Sequence, residues 1–126
     1  MGEKKNWPHF KENELSCRCC GKCHMDDGFM QLIEVLRIIY GKPLVVTSAY
    51  RCPEHNKAVS STGLEGPHTT GKAIDIKISR ADATQFLKFA INLGITGIGV
   101  NQKGKDSGRF LHLDTLEENR PTIWSY

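Results

Sequence analysis

Two short segments in the second half of the chain alternate apolar and polar side chains, and they restrict the fold more than any other feature. Residues 73–78 read Ala-Ile-Asp-Ile-Lys-Ile, and residues 110–114 read Phe-Leu-His-Leu-Asp. Successive side chains of a β-strand point to opposite faces, so each segment predicts a strand with one apolar and one polar face. Asp75 falls on the polar face of the first strand, and His112 and Asp114 share the polar face of the second. The pattern therefore predicts a sheet with titratable groups on one side.

The other elements alternate between helices and short strands. Asp26 or Asp27 can cap an amphipathic helix that ends near Tyr40, where Gly41 follows. We expect its apolar stripe to contain Phe29, Leu32, Ile33, Leu36, Ile39 and Tyr40. Further predicted elements are a buried strand at 44–47, a short helix at 53–59, a loop at 60–67, a helix from about Ser79 to Gly94 with Phe86, Leu87, Ala90 and Ile91 inward, and a strand at 97–100.

These elements include too few crossover helices for a doubly wound parallel sheet. We therefore predict an α+β fold, with a mostly antiparallel sheet flanked by helices. A length of 126 residues suits one domain with a single buried core. We predict one domain over residues 1–126, with residues 1–25 as a cysteine-rich N-terminal extension packed on or near it.

Composition excludes several functional classes. Apolar residues make up 39% and charged residues 25%, as in globular proteins, and no stretch approaches the roughly 20 apolar residues that span a bilayer. The 17 basic and 14 acidic residues are spread along the chain, so no nucleic-acid footprint is visible. No apolar segment follows the basic start, which predicts a cytoplasmic product without a secretory signal. We expect a monomer with no membrane and no nucleic-acid partner.

Four of the five cysteines lie in residues 17–23, which read Cys-Arg-Cys-Cys-Gly-Lys-Cys. A Cys-x-x-Cys turn can direct two thiolates at one tetrahedral zinc ion, and Cys52 or His24 would then have to complete the site. Disulfides and free thiols are the alternatives, and the odd total leaves at least one cysteine unpaired in an all-disulfide monomer. The sequence leaves these three interpretations open, including a metal or redox centre of functional importance.

His68, Asp75 and His112 form the second candidate metal site. Two imidazoles and one carboxylate leave the fourth position of a tetrahedral zinc ion open, which is typical of catalytic rather than structural zinc. Zinc lowers the pKa of bound water to about 7 and polarises a carbonyl, so the chemistry expected is amide hydrolysis. Taken singly, each residue has a simpler interpretation, as a solvated loop histidine or as the wet face of a strand.

A family resemblance joins these residues. Residues 68–75, His-Thr-Thr-Gly-Lys-Ala-Ile-Asp, match the His-x-x-Gly-x-Ala-x-Asp motif of the zinc D-Ala-D-Ala carboxypeptidase family, whose fold is shared with the hedgehog signalling domain. Residues 48–56 resemble its Ser-Gly-Tyr-Arg segment, with Ala49 in place of the glycine, and residues 110–115 resemble its closing histidine strand. The three motifs stand in the family's order and cover about residues 26–115.

The resemblance implies a hedgehog-like fold and one zinc ion per chain on His68, Asp75 and His112. It implies a peptidase of peptidoglycan stem peptides, either a D-Ala-D-Ala carboxypeptidase or an L-Ala-D-Glu type endopeptidase. Arg51 matches the family arginine, which can bind a substrate carboxylate or the developing oxyanion; its alternative role is a surface salt bridge. A small enzyme without a signal segment suits release to the cell wall by phage-type lysis, and a bacterial cytoplasmic enzyme is the alternative.

Two positions depart from the family pattern. Several members carry the acid that exchanges protons with the zinc-bound water three residues before the last zinc histidine, and this chain has Arg109 there. We expect Asp114 to replace it as general base, with Asp106 as the second choice. Gly66 stands where the family usually has serine, which removes a hydroxyl near the metal. A non-catalytic, zinc-stabilised binding module of hedgehog type is the alternative function.

Overall fold

The computed structural model describes residues 7–126. The prediction that no secretory signal is present rests partly on residues 1–6, which lie outside the described residues. Within the described range, no helix is long and apolar enough to cross a membrane. The helices are α1 (Glu12–Leu15), α2 (Asp27–Tyr40), α3 (Pro53–Val59) and α4 (Arg80–Asn92), with 3₁₀ turns at Pro67–Thr70 and Asp106–Gly108. The strands are β1 (Val45–Ser48), β2 (Ala73–Lys77), β3 (Gly97–Asn101), β4 (Phe110–Asp114) and β5 (Thr122–Ser125).

The five strands form one sheet in the order β1-β2-β4-β3-β5. Every neighbouring pair is antiparallel except β3 and β5, which run parallel. The predicted α+β class with a mostly antiparallel sheet is confirmed. In the central pair, Asp75 lies directly opposite His112, so their side chains share a face, while Ile74 and Ile76 face the core with Leu111 and Leu113.

Helix α2 forms as its sequence predicts. The Asp26 carboxylate accepts a hydrogen bond from the Phe29 N–H at 2.9 Å, which satisfies one of the free donors of the first turn. Gly41 ends the helix in the left-handed conformation with φ 79°, which glycine adopts without a side-chain penalty. The helix buries Phe29, Ile33 and Leu36 in the core beneath the sheet.

Three apolar side chains are more exposed than their pattern predicts. Ile39 on α2 is 45% exposed and Ile91 on α4 is 55% exposed. The buried stripe of α4 runs through Ala83, Phe86 and Ala90. Ile91 lies about 100° around the helix from Ala90 and therefore points away from this stripe. Val45 is exposed because its side chain points to the face of β1 opposite to Val46, which is buried in the core. The prediction of a buried strand at 44–47 is therefore wrong for this face.

The N-terminal segment contributes to the same core. Trp7, Phe10 and Leu15 are buried with the side chains of α2 and the sheet. The Tyr50 N–H also donates to the Leu15 carbonyl at 3.1 Å, which joins α1 to the segment after β1. The residues that follow β1 are therefore attached to the sheet through β1 and to α1 through this hydrogen bond.

Candidate metal centre and adjoining cleft

Three side chains from separate elements meet above the central strands. His68 lies in the 3₁₀ turn before β2, Asp75 lies on β2 and His112 lies on β4, and all three are buried. Asp75 Oδ1 is 3.2 Å from His68 Nε2 and 2.9 Å from His112 Nδ1, and the three ligand atoms lie within 4.8 Å of one another. Ligands about 2.1 Å from a tetrahedral zinc ion are about 3.4 Å apart. The spacing therefore fits a single zinc ion.

Hydrogen bonds on the far side of each ring determine which nitrogen faces this point. His68 Nδ1 is 2.7 Å from the Ala49 carbonyl oxygen, and His112 Nε2 is 2.8 Å from Asp114 Oδ2. Both partners are acceptors, so these nitrogens carry hydrogen, and with a cation bound between the rings and Asp75, His68 Nε2 and His112 Nδ1 would turn lone pairs to it. Two lone pairs and a carboxylate would then converge on the cation, in place of the hydrogen bonds to Asp75.

The charges of the site favour a cation as well. Burial alone would raise the pKa of Asp75, but hydrogen bonds from His112 and His68 hold it well below its usual range. Burial alone would lower the pKa of His112, but its hydrogen bonds to Asp114 and Asp75 raise it. Ionised carboxylates therefore lie against His112 in the apolar surroundings of the sheet, and a divalent cation would neutralise part of this charge.

Arg51 borders the same point. Its backbone N–H donates to the His68 carbonyl at 3.1 Å, and its side chain donates to Ser48 Oγ at 3.2 Å and to Asn56 Oδ1 at 3.1 Å. The guanidinium Nη2 lies 4.0 Å from Asp75 Oδ2. Two of its five N–H donors bond these neighbours, so others remain for a carboxylate or an oxyanion. Arg51 is thus held in place from both sides rather than lying in a surface salt bridge.

A cleft of about 420 Å³ opens over the three candidate ligands. Asp75 is the one carboxylate among the described residues that line it. Trp124 also lines it. The lining also includes the aromatic side chains of Phe110, Trp124 and Tyr126 and, at the end of α3 and after it, Val59, Ser60 and Thr62.

Comparison with known proteins decides the family. The family model described as Peptidase M15 matches residues 8–114. The chain belongs to the peptidase M15 family. M15 peptidases are zinc-dependent metallopeptidases, and the match confirms the resemblance to the zinc D-Ala-D-Ala carboxypeptidases. No curated protein and no solved structure matches the chain.

In this M15 chain, Asp114 lies behind His112 rather than over the cleft. Its carboxylate accepts two hydrogen bonds from Arg120, from Nε to Oδ1 at 2.9 Å and from Nη2 to Oδ2 at 2.8 Å. The side chain is fully buried. Burial alone would raise the pKa of Asp114, but the hydrogen bonds from Arg120 and His112 hold it well below its usual range. These contacts orient the imidazole of His112.

The two acids predicted as general base are therefore poorly placed for that role. Both oxygens of Asp114 are hydrogen-bonded on the side of the ring away from His112 Nδ1, and Asp114 does not line the cleft. Asp106 is exposed, lies 3.0 Å from Arg80 and 3.6 Å from Arg109, and also lies outside the cleft lining. The position of Asp114 instead suits a residue that orients a metal ligand.

Sequence reasoning missed Arg120 altogether. The available signal was Gly97 on β3, which lies opposite Asp114 in the sheet. A Cβ at Gly97 would lie 2.1 Å from Asp114 Oδ1 and 2.4 Å from Arg120 Nε. The absence of a side chain at Gly97 leaves room for the ion pair between Asp114 and Arg120.

Gly66 marks a related departure from the family pattern. A Cβ at this position would lie 2.2 Å from Thr62 Oγ1, and that hydroxyl accepts a hydrogen bond from Asn56 Nδ2 at 2.8 Å. Thr62 thus fills the space that a residue 66 side chain would take. His55, which is close to Arg51 in the sequence, does not line the cleft.

Proposed function

We propose that this zinc peptidase hydrolyses the stem peptides of peptidoglycan, either at a D-Ala-D-Ala end or at an L-Ala-D-Glu type bond. The carrying observation is the convergence of His68 Nε2, Asp75 Oδ1 and His112 Nδ1 beside Arg51 at the floor of one cleft. When bound there, zinc would supply an activated water as nucleophile and polarise the scissile carbonyl.

The chain's own residues divide the remaining work. Asp114 and Ala49 keep the two imidazoles in the tautomers that a metal ion requires. Arg51, held by Ser48 and Asn56, is placed to bind the substrate's terminal carboxylate or the developing oxyanion. The aromatic wall of the cleft excludes water from one side.

A first experiment measures zinc content and hydrolysis of a synthetic stem pentapeptide together. The wild type is compared with the His68→Ala, His112→Ala double variant and with His55→Ala, a histidine outside the cleft lining, as the matched control. We expect the double variant to lose one equivalent of zinc and all hydrolysis, and the control to keep both. Equal hydrolysis by the wild type and the double variant would refute the proposal.

Product analysis then separates the two bond specificities. Release of D-alanine identifies a carboxypeptidase, whereas cleavage between L-alanine and D-glutamate identifies an endopeptidase. A pentapeptide with an amidated C-terminus lacks the carboxylate that Arg51 would bind, so a carboxypeptidase should turn it over more slowly.

The second candidate function is a zinc-stabilised module that binds peptide without turnover. The observation in its favour is the cleft lining, in which Asp75 is the one carboxylate among the described residues and is also a candidate metal ligand. This function would be supported if the wild type binds the peptide without hydrolysing it and the double variant loses both zinc and peptide binding.

We further propose a monomer that reaches the cell wall by phage-type lysis after synthesis in the cytoplasm. Sedimentation tests whether the protein is a monomer. Adding the protein from outside to purified cell walls and to intact cells, and comparing the hydrolysis, tests the route to the wall.

A further inference from the structure

A second group of metal-ligating side chains lies outside the cleft. The thiols of Cys17, Cys20 and Cys52 lie within 4.8 Å of one another. Cys17 and Cys20 belong to the N-terminal segment, and Cys52 is the residue before α3. The grouping thus joins a Cys-x-x-Cys pair with a cysteine from a separate part of the chain.

The backbone of the N-terminal segment folds into a tight turn at these thiols. The Gly21 N–H donates to the Cys17 carbonyl at 2.9 Å, and the Cys17 N–H donates to the Lys22 carbonyl at 2.8 Å. Gly21 has φ 74°, which is accessible to glycine and strained for most residues. Because this turn brings Cys20 back beside Cys17, both sulfurs face the same point.

Backbone N–H groups also point at the buried sulfur. The Cys52 N–H donates to Cys17 Sγ at 3.3 Å. An N–H donor directed at a sulfur favours thiolate, which is the form that binds metal ions.

We propose that Cys17, Cys20 and Cys52 bind a second zinc ion, separate from the histidine site, which cross-links two segments of the chain. Thiolates select thiophilic ions such as zinc, and these three leave one position of a tetrahedral ion for a further ligand. This site goes beyond the proposed peptidase function and does not depend on it.

The cross-link would fix the position of Arg51. Cys52 is its immediate neighbour, and on the other side the Tyr50 N–H is bonded to Leu15 in α1. A metal on Cys52 would therefore anchor the short segment between β1 and α3 to the N-terminal extension.

The test begins from the His68→Ala, His112→Ala protein, in which the histidine site cannot retain metal. We expect this protein, purified with zinc, to keep about one equivalent per chain. Exchange with Co²⁺ should give a near-ultraviolet charge-transfer band that thiolate ligands produce and imidazole or carboxylate ligands do not. Absence of both zinc and the band would overturn the second site, whatever the fate of hydrolysis in the wild type.

Cysteine variants in the same background identify the ligands. Cys20→Ser and Cys52→Ser should each lose the zinc and weaken the band, whereas Cys19→Ser should keep both. Cys19 is the matched control because it is exposed, adjacent to Cys20 and outside the three-thiol group. Retention of metal in Cys20→Ser and Cys52→Ser, or its loss in Cys19→Ser, would contradict the assignment.

A thiol count separates this site from a disulfide. The chain has five cysteines, and metal binding leaves all five as thiols that react after denaturation with a chelator present. Three reactive thiols would show a disulfide and overturn the proposal. Circular dichroism of Cys20→Ser checks that the fold is kept, and Cys20 is suitable for this because its side chain is exposed.

Discussion

Asp114 and Arg120 form a bidentate ion pair, with N–O distances of 2.9 and 2.8 Å, on the side of His112 that faces away from the cleft. Asp114 Oδ2, which accepts from Arg120, also accepts from His112 Nε2 at 2.8 Å. A buried histidine is thereby fixed by a carboxylate that is itself fixed by a cation. The arrangement directs His112 Nδ1 toward Asp75 and the candidate metal position.

Replacing Asp114 by asparagine tests whether this residue orients a ligand or exchanges protons with substrate. We expect the zinc affinity of the histidine site to fall about 10–100-fold, since loss of a metal ligand's hydrogen-bonded carboxylate typically has this effect. Chelator competition measures the affinity, and Asp106→Asn is the control. A variant with unchanged zinc affinity and a large loss of kcat would instead support the general-base role.

Removing the guanidinium should destabilise the fold. Arg120→Met leaves the Asp114 carboxylate buried and without its cation, and breaking a buried pair in this way costs about 3–5 kcal/mol. Arg80→Met removes an exposed ion pair with Asp106 and should leave the stability almost unchanged. Urea unfolding of the two variants gives the comparison, and equal effects would argue against a structural role of the buried pair.

A methyl group at Gly97 should disturb the same ion pair from the opposite strand. The added Cβ would lie 2.1 Å from Asp114 Oδ1, so we expect Gly97→Ala to lose about 1–3 kcal/mol of unfolding free energy and to bind zinc more weakly. Gly108→Ala is the matched control, because no atom lies within 4 Å of the Cβ position there. If Gly97→Ala matches that control in both measurements, the space at Gly97 is not needed.

Arg51 should determine the affinity for a free substrate carboxylate. Arg51→Lys keeps the charge but loses the planar fork, so we expect KM for a stem peptide with a free C-terminus to rise by about tenfold or more. The amidated peptide should show little change. Arg109→Lys, outside the cleft lining, is the control. An equal rise for both peptides would show that Arg51 does not bind the terminal carboxylate.

The sequence predicts the ligand face of the sheet because alternation is a local property. Once residues 73–78 and 110–114 are strands, Asp75 and His112 must share a face with their partners, and the family motif adds His68. No alternating pattern marks Arg120, the partner of Asp114, because Arg120 lies in the irregular connection before β5. Which ring nitrogen faces the metal depends on a rotamer and on outer hydrogen bonds, which no spacing determines.

Zinc at the histidine site should be released as the pH falls. Protons compete with the ion for His112 Nδ1, because only neutral imidazole binds metal. The neighbouring carboxylates raise the pKa of His112 above its usual 6.5, so competition in the metal-free protein begins at a higher pH than for an ordinary histidine. Affinity should therefore increase as the pH rises through this range and decrease below it. A chromophoric chelator measures the release between about pH 5 and 8 in Cys20→Ser protein, where the thiol group does not contribute. A zinc affinity that stays constant over this interval would show that His112 does not bind the ion.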